Sequence, residues 1–183
     1  MKTKAKILYM ALEMFNAQSL GQVGMRDIAR GLDISVGNLS YHFPRKRDII
    51  LALMEQIGSQ NEEVYQAYLT ETPSLAAFLS TLKEIFQNQY NHRGLLVGNH
   101  EIATIIKEHF DYASVEHKRK ALFQEIFNQL KIAGELKLGE EDVAFMVNFM
   151  TLFGRFWILE AAVSHSDKSP EHIIQHYMQL IQT

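Results

Sequence analysis

The chain has 183 residues, 47% of them hydrophobic, with no cysteine and a formal net charge of −3. That length provides a sizeable core in a soluble globular protein, and the missing cysteines exclude disulfides and thiolate metal sites. The overall charge argues weakly against a nucleic-acid partner, but it is unevenly spread: residues 1–48 carry eight bases and four acids, so the first quarter is at +4 and the remainder at −7. A basic head on an acidic body suits a small DNA-binding module joined to a domain that does not touch DNA.

In chain order, Ile7, Leu8, Ala11, Leu12, Met14 and Phe15 recur at three and four residues and predict an amphipathic helix over roughly residues 3–18. Lys2, Lys4 and Lys6 lead into that pattern and not into an apolar leader, which predicts a cytoplasmic protein. Their cluster reads as a solvated face that can reach phosphates at a groove edge. Gly21 and Gly24 loosen the link to two short helical patterns between Met25 and Lys46, which read as a helix-turn-helix. In the first, Ile28 and Leu32 share a face, and Ala29 is small enough for a second helix to cross closely. Asp33 tolerates the left-handed backbone of the turn, and Ser35 is a good N-cap for the helix that follows. Pro44 stops that second helix.

From Lys46 a long apolar pattern runs to Thr72-Pro73-Ser74, so one helix leaves the head and enters the body without a flexible linker. Three further helices are predicted, over roughly residues 74–92, 95–110 and 114–134, with joints near Gly94, Gly98 and Gly134 to Gly139. Between Val143 and Val163 the only charges are Arg155 and Glu160, and aromatic residues fall on more than one face. A membrane span is disfavoured, because Arg155, Glu160 and Asn148 would lie in hydrocarbon with no second span to pair them. The closing helix starts with Ser169 as N-cap and Pro170 at its first position, and presents Ile173, Ile174, Tyr177, Met178 and Ile181 as a seam. Two adjacent helices with surplus apolar faces predict a four-helix homodimer interface.

The stretch from Ile7 to Leu53 resembles the DNA-binding domain of the TetR family of bacterial transcriptional regulators. The resemblance is carried by Arg26-Asp27-Ile28-Ala29, followed by Ile34-Ser35, then Gly37-Asn38-Leu39, Tyr41-His42-Phe43 and Lys46. It implies an all-α protein with a three-helix DNA-binding head at residues 1–46 and a helical ligand-binding and dimerisation domain at 47–183. It also implies a homodimeric repressor released from a palindromic double-stranded operator by a small-molecule effector. The chain departs from the family pattern at Gly24, where a Thr or Ser N-cap is usual, at Asp33, where the turn is usually Gly, and at Ser40, where an aromatic is common.

Read from its own residues, the second helix of the motif puts Ser35, Val36, Gly37 and Asn38 at the end that enters the major groove. Asn38 can pair bidentately with adenine, Val36 can meet a thymine methyl, and Gly37 lets the backbone approach. Arg26, Ser40, Tyr41, His42 and Lys46 complete the expected DNA-binding set, with Arg26, Tyr41, His42 and Lys46 directed at phosphates. Phe43 is assigned to packing.

No catalytic constellation, glycine-rich phosphate loop or metal-ligand set stands out, so the reading is of a non-enzyme without cofactor. His172 and His176 lie one turn apart and read as solvent-facing. Phe86, Tyr90, Phe127, Phe149, Phe153 and Trp157 are the candidate lining of an apolar effector pocket, with ordinary core packing as their competing role. The alternative function is a DNA-tethered helical protein whose body binds a protein partner instead of a small molecule.

Overall fold

The computed structural model of the protein describes residues 3–97 and 100–182. Lys2 of the basic cluster and Gly98 of the expected joint lie outside these residues. All described regular elements are helical: α1 (Thr3–Gln18), a 3-10 turn (Leu20–Gln22), α2 (Met25–Gly31), α3 (Val36–His42), α4 (Lys46–Leu69) and α5 (Leu75–Asn91) come first. They are followed by α6 (Arg93–Leu96), α7 (His100–His109), α8 (Tyr112–Ile132), α9 (Glu140–Ser164) and α10 (Pro170–Gln182). The segment read as one helix over 95–110 is two, α6 and α7.

The chain divides into two compact units, residues 1–59 with 91–110 and residues 60–90 with 111–183. This differs from the division expected at residues 46 and 47, for two reasons. The first turns of α4 contribute Ile49, Ile50 and Leu53, all fully buried, to the core of the head. Leu95, Ile102 and Ile105 from α6 and α7 close the same core. An apolar face in the sequence shows that a helix is covered, without showing by what.

Within the first unit, α1 buries Ile7, Ala11 and Phe15, spaced by four so that they fall on one stripe. They meet Ile28 and Ala29 of α2 and Leu39 of α3 in one cluster. Asp33 takes φ 54° in the turn, and the Ser35 hydroxyl accepts from the Asn38 amide at 3.1 Å, as the sequence predicts. Gly24 has no side chain to cap α2; the Asp27 carboxylate instead accepts from the Gly24 amide at 2.9 Å. Ser19 holds φ 71° and ψ 149°, a conformation natural to glycine, and strain of this kind persists only where its surroundings fix it.

Two contacts flank Ser19. The Leu20 carbonyl beside Ser19 accepts from the Lys46 ammonium at 2.7 Å. On the other side, the Asn16 amide holds the joint between α5 and α6: Nδ2 donates to the Asn91 carbonyl at 2.8 Å, and Oδ1 accepts from the Gly94 amide at 2.8 Å. Gly94 lies so close to α1 that a Cβ there would collide with the Phe15 carbonyl and the Asn16 nitrogen.

The second unit packs α8 against α9, with the outer part of α4, α5 and α10. α9 buries Val143, Val147, Met150, Trp157, Ile158 and Ala161. Its opposite side exposes Phe145, Phe149, Leu152, Phe156, Leu159 and Val163, between 37% and 75%. α9 is the one helix among the described residues long and apolar enough to cross a membrane. Its apolar surplus is confined to a seam alternating by four and three residues, the 3.5-residue repeat of helices that pack side by side. At α10, the Ser169 hydroxyl accepts from the His172 amide at 3.3 Å, confirming the predicted cap.

Candidate nucleic-acid interface

The side chain of Leu39 is fully buried, which pins α3 to the head and turns its other face outward. On that face Ser35, Gly37 and Asn38 are exposed, Val36 is 40% exposed and Tyr41 83% exposed. Val36 and Tyr41 are thus left partly uncovered by the fold, the Tyr41 ring meeting only the edge of His42 at 5.2 Å. Arg26, at the start of α2, is exposed as well, while Ser40 and His42 are half-buried. The structure therefore brings the expected base-reading residues onto one short helix turn. Phe43 is buried, in line with its packing role.

Lys46 is placed differently from the others. Its ammonium is bonded to the Leu20 carbonyl and lies 5.9 Å from the centre of the Phe15 ring. No local pattern signals this tie, because Leu20 and Lys46 are 26 residues apart.

In the second unit, Phe86 stacks on Trp157 at 4.6 Å and touches Phe153 at 5.9 Å. Phe153 stacks on Phe149 at 5.4 Å, and Phe149 on Phe145 at 6.2 Å. These rings form a continuous run from the core to the exposed seam. The Trp157 indole donates to the Gln89 side chain, whose amide donates to the Gly154 carbonyl at 3.2 Å. Phe127 belongs to another cluster, with Phe78 and Phe123 at 5.7 and 6.2 Å. Tyr90 is half-buried. Five of the six aromatics singled out from sequence thus fall into two groups, Tyr90 being placed in neither by a ring contact, and Phe86, Phe127 and Trp157 are nearly inaccessible.

Tyr68, which the sequence did not single out, packs on Phe78 at 5.8 Å and is only 3% exposed, and its hydroxyl has no hydrogen-bond partner. Burial, with Glu135 and Glu71 nearby, pushes the phenol up, so it stays protonated as a donor.

A family model described as bacterial regulatory proteins, tetR family, matches residues 7–53, from the buried stripe of α1 to the buried Leu53 of α4. Over these residues the chain is similar to the DNA-binding part of the TetR family. TetR-family regulators are DNA-binding transcription factors without enzymatic activity, and α3 lies within the matched residues. The chain is 32% identical over 100 residues to the probable HTH-type transcriptional regulator YttP of Bacillus subtilis (strain 168). That match takes in 51% of this chain and 46% of YttP, so the chain spans about half the length of that relative. Two solved structures share the fold. A TetR-family transcriptional regulator from Marinobacter aquaeolei VT8 has a TM-score of 0.85 at 24% identity, covering 100% of this chain and 89% of that one. NalD, the secondary repressor of the MexAB-OprM multidrug efflux pump in Pseudomonas aeruginosa, has a TM-score of 0.66 at 14% identity, covering 98% and 93%.

Proposed function

We propose that this protein is a cytoplasmic homodimeric repressor of the TetR family that binds a palindromic operator and leaves it when its helical body takes up a small molecule. The observation that carries the DNA-reading part is the exposed first turn of α3, held by the buried Leu39 and capped by Ser35. Asn38 and Val36 read bases there, Gly37 admits the backbone, and Arg26, Tyr41 and His42 set register on phosphates. The experiment compares Asn38→Ala with Lys46→Ala on a selected operator. Loss of Asn38 is expected to cost roughly 1–3 kcal/mol and relax preference at one base position. Loss of Lys46 weakens all sequences alike and, because of the Leu20 bond, also lowers the unfolding midpoint. Uniform weakening by both variants would contradict direct readout by Asn38.

Tyr68 supports the effector part. A buried hydroxyl without a partner costs about 1–3 kcal/mol, and a ligand that accepts from it recovers that cost. Tyr68→Phe is expected to leave the ligand-free protein as stable as before or more so, by urea unfolding, while removing the thermal shift given by an effector with a hydrogen-bond acceptor. A clear loss of stability in the variant would show that the hydroxyl is already satisfied.

Coupling runs through two continuous helices, since α4 and α5 each begin in one compact unit and end in the other. α5 ends at Asn91, whose carbonyl is held by Asn16 on α1. A shift of α5 on effector binding therefore pulls on the helix that supports the reading head. Reciprocity fixes the size: an effector that lowers operator affinity tenfold binds about tenfold more weakly to the operator complex, roughly 1.4 kcal/mol of coupling.

A further inference from the structure

The unpartnered hydroxyl of Tyr68 lies at one corner of the second compact unit, where the end of α4, the start of α5 and the residues after α8 meet. Its ring belongs to a run of five: Tyr68 to Phe78 at 5.8 Å, Phe78 to Phe127 at 5.7 Å, Phe127 to Phe123 at 6.2 Å and Phe123 to Tyr65 at 5.9 Å. Two carboxylates stand at the Tyr68 end of that run. Glu71 is placed by its own amide, which donates to the Tyr68 carbonyl at 3.0 Å in the turn that closes α4. Glu135 is placed from two sides. Gly134 turns the chain at φ 76° after α8, and the Glu135 amide donates to the Leu130 carbonyl at 3.0 Å. Its side-chain Oε2 accepts from the Leu75 amide at 3.1 Å, one turn of α5 before Phe78. Both glutamates are exposed, while Tyr68 behind them is 3% exposed.

The charges decide what this corner can hold. The buried hydroxyl needs an acceptor, and neither carboxylate takes its hydrogen. The two charges that act on the phenol, those of Glu135 and Glu71, are both negative. A ligand whose acceptor is itself a carboxylate, sulfate or phosphate is repelled by both, so the acceptor is a neutral oxygen. A positive charge beside that oxygen is attracted by the two carboxylates and by the faces of the aromatic run. We propose that Tyr68, Glu71 and Glu135 form the recognition site for an organic cation that carries a neutral oxygen beside its charged nitrogen. The cation takes the glutamates as counter-ions, and its oxygen accepts from the phenol. The bond to Leu75 occupies only Oε2 of Glu135, which leaves Oε1 for the ligand.

The inference rests on the effector reading and deepens it by naming the chemical class. Two probes of one shape separate the charge: phenylethanolamine, a cation with a hydroxyl beside its ammonium, and the counterpart in which a carboxylate replaces the ammonium. Calorimetry on the full-length protein is expected to show the amine binding roughly tenfold more tightly than the acid. Tyr68→Phe is expected to weaken the amine by roughly tenfold, through loss of one buried hydrogen bond. Glu71→Gln combined with Glu135→Gln is expected to remove the preference for the cation, and Gln at residue 135 keeps an acceptor for the Leu75 amide. Binding of the acid as tightly as the amine, binding of neither, or amine binding unchanged in the variants would overturn the site and leave the effector reading standing. Amine binding that is weakened in the variants yet leaves affinity for a selected operator unchanged would overturn the effector reading, the cation site then remaining without that role.

Discussion

Gly94→Ala is expected to destabilise the protein by about 1–3 kcal/mol, the usual cost of overpacking, and to weaken DNA binding at the same time. The cause is local. A Cβ at residue 94 meets the backbone of Phe15 and Asn16, which cannot rotate away as a flexible side chain could. Either α6 moves off α1, breaking the bond from the Gly94 amide to Asn16, or the end of α1 yields. Each outcome disturbs the helix whose Ile7, Ala11 and Phe15 support α2 and α3. Gly58→Ala in α4 is the matched control, because a Cβ there meets nothing within 4 Å. Relief of helical glycine should stabilise it by about 0.5–1 kcal/mol. Urea denaturation of the two variants checks the pair, and equal midpoints would contradict the close approach of α6 to α1.

Leu152→Asp is expected to convert a dimer to a monomer and to lower operator affinity far more than any single contact at the reading helix. Leu152 lies at the centre of the exposed α9 seam and is 58% exposed in the protomer, so the exchange costs the isolated chain little. In a dimer, two-fold symmetry puts the carboxylate into the interface twice. Burial of an unpaired ion costs several kcal/mol, and about 4 kcal/mol in total already raises the dissociation constant by roughly a thousandfold. Sedimentation at micromolar concentration reads the oligomeric state, and far-UV circular dichroism confirms that the helices persist. A wild-type protein that sediments as a monomer, or a variant that stays dimeric, would contradict the assignment of this seam to a second copy.

The helices were legible in the sequence because their signals are local. The spacing of Ile7, Ala11 and Phe15, the Ser35 cap, the left-handed Asp33 and the Ser169-Pro170 start each act within a turn or two. The exposed face of α3 was legible for the same reason, since Leu39 is the one large apolar residue between Val36 and Ser40 and must face inward. What the sequence did not disclose is which faces meet. Leu20 and Lys46, Asn16 and Gly94, and Arg47 and His109 are paired by tertiary packing across 26, 78 and 62 residues. Gly94 was visible as a joint and not as a contact. The apolar pattern over 95–110 showed buried faces without showing that they cover α1. Tyr68 carried no signal, because a tyrosine on the apolar stripe of a helix is read as packing until its hydroxyl is found without a partner.

In the function proposed for this protein, a dimer presents two α3 helices to DNA and reads sequence with them. The deciding measurement is selection of bound duplexes from a random pool by the full-length protein, followed by sequencing. The expected result is enrichment of a palindrome whose half-site centres lie about 34 Å, one helical turn, apart or a multiple of it. Enrichment at one position in each half-site is expected to disappear with Asn38→Ala. Recovery of sequences without two-fold symmetry, or no enrichment over the starting pool, would contradict it.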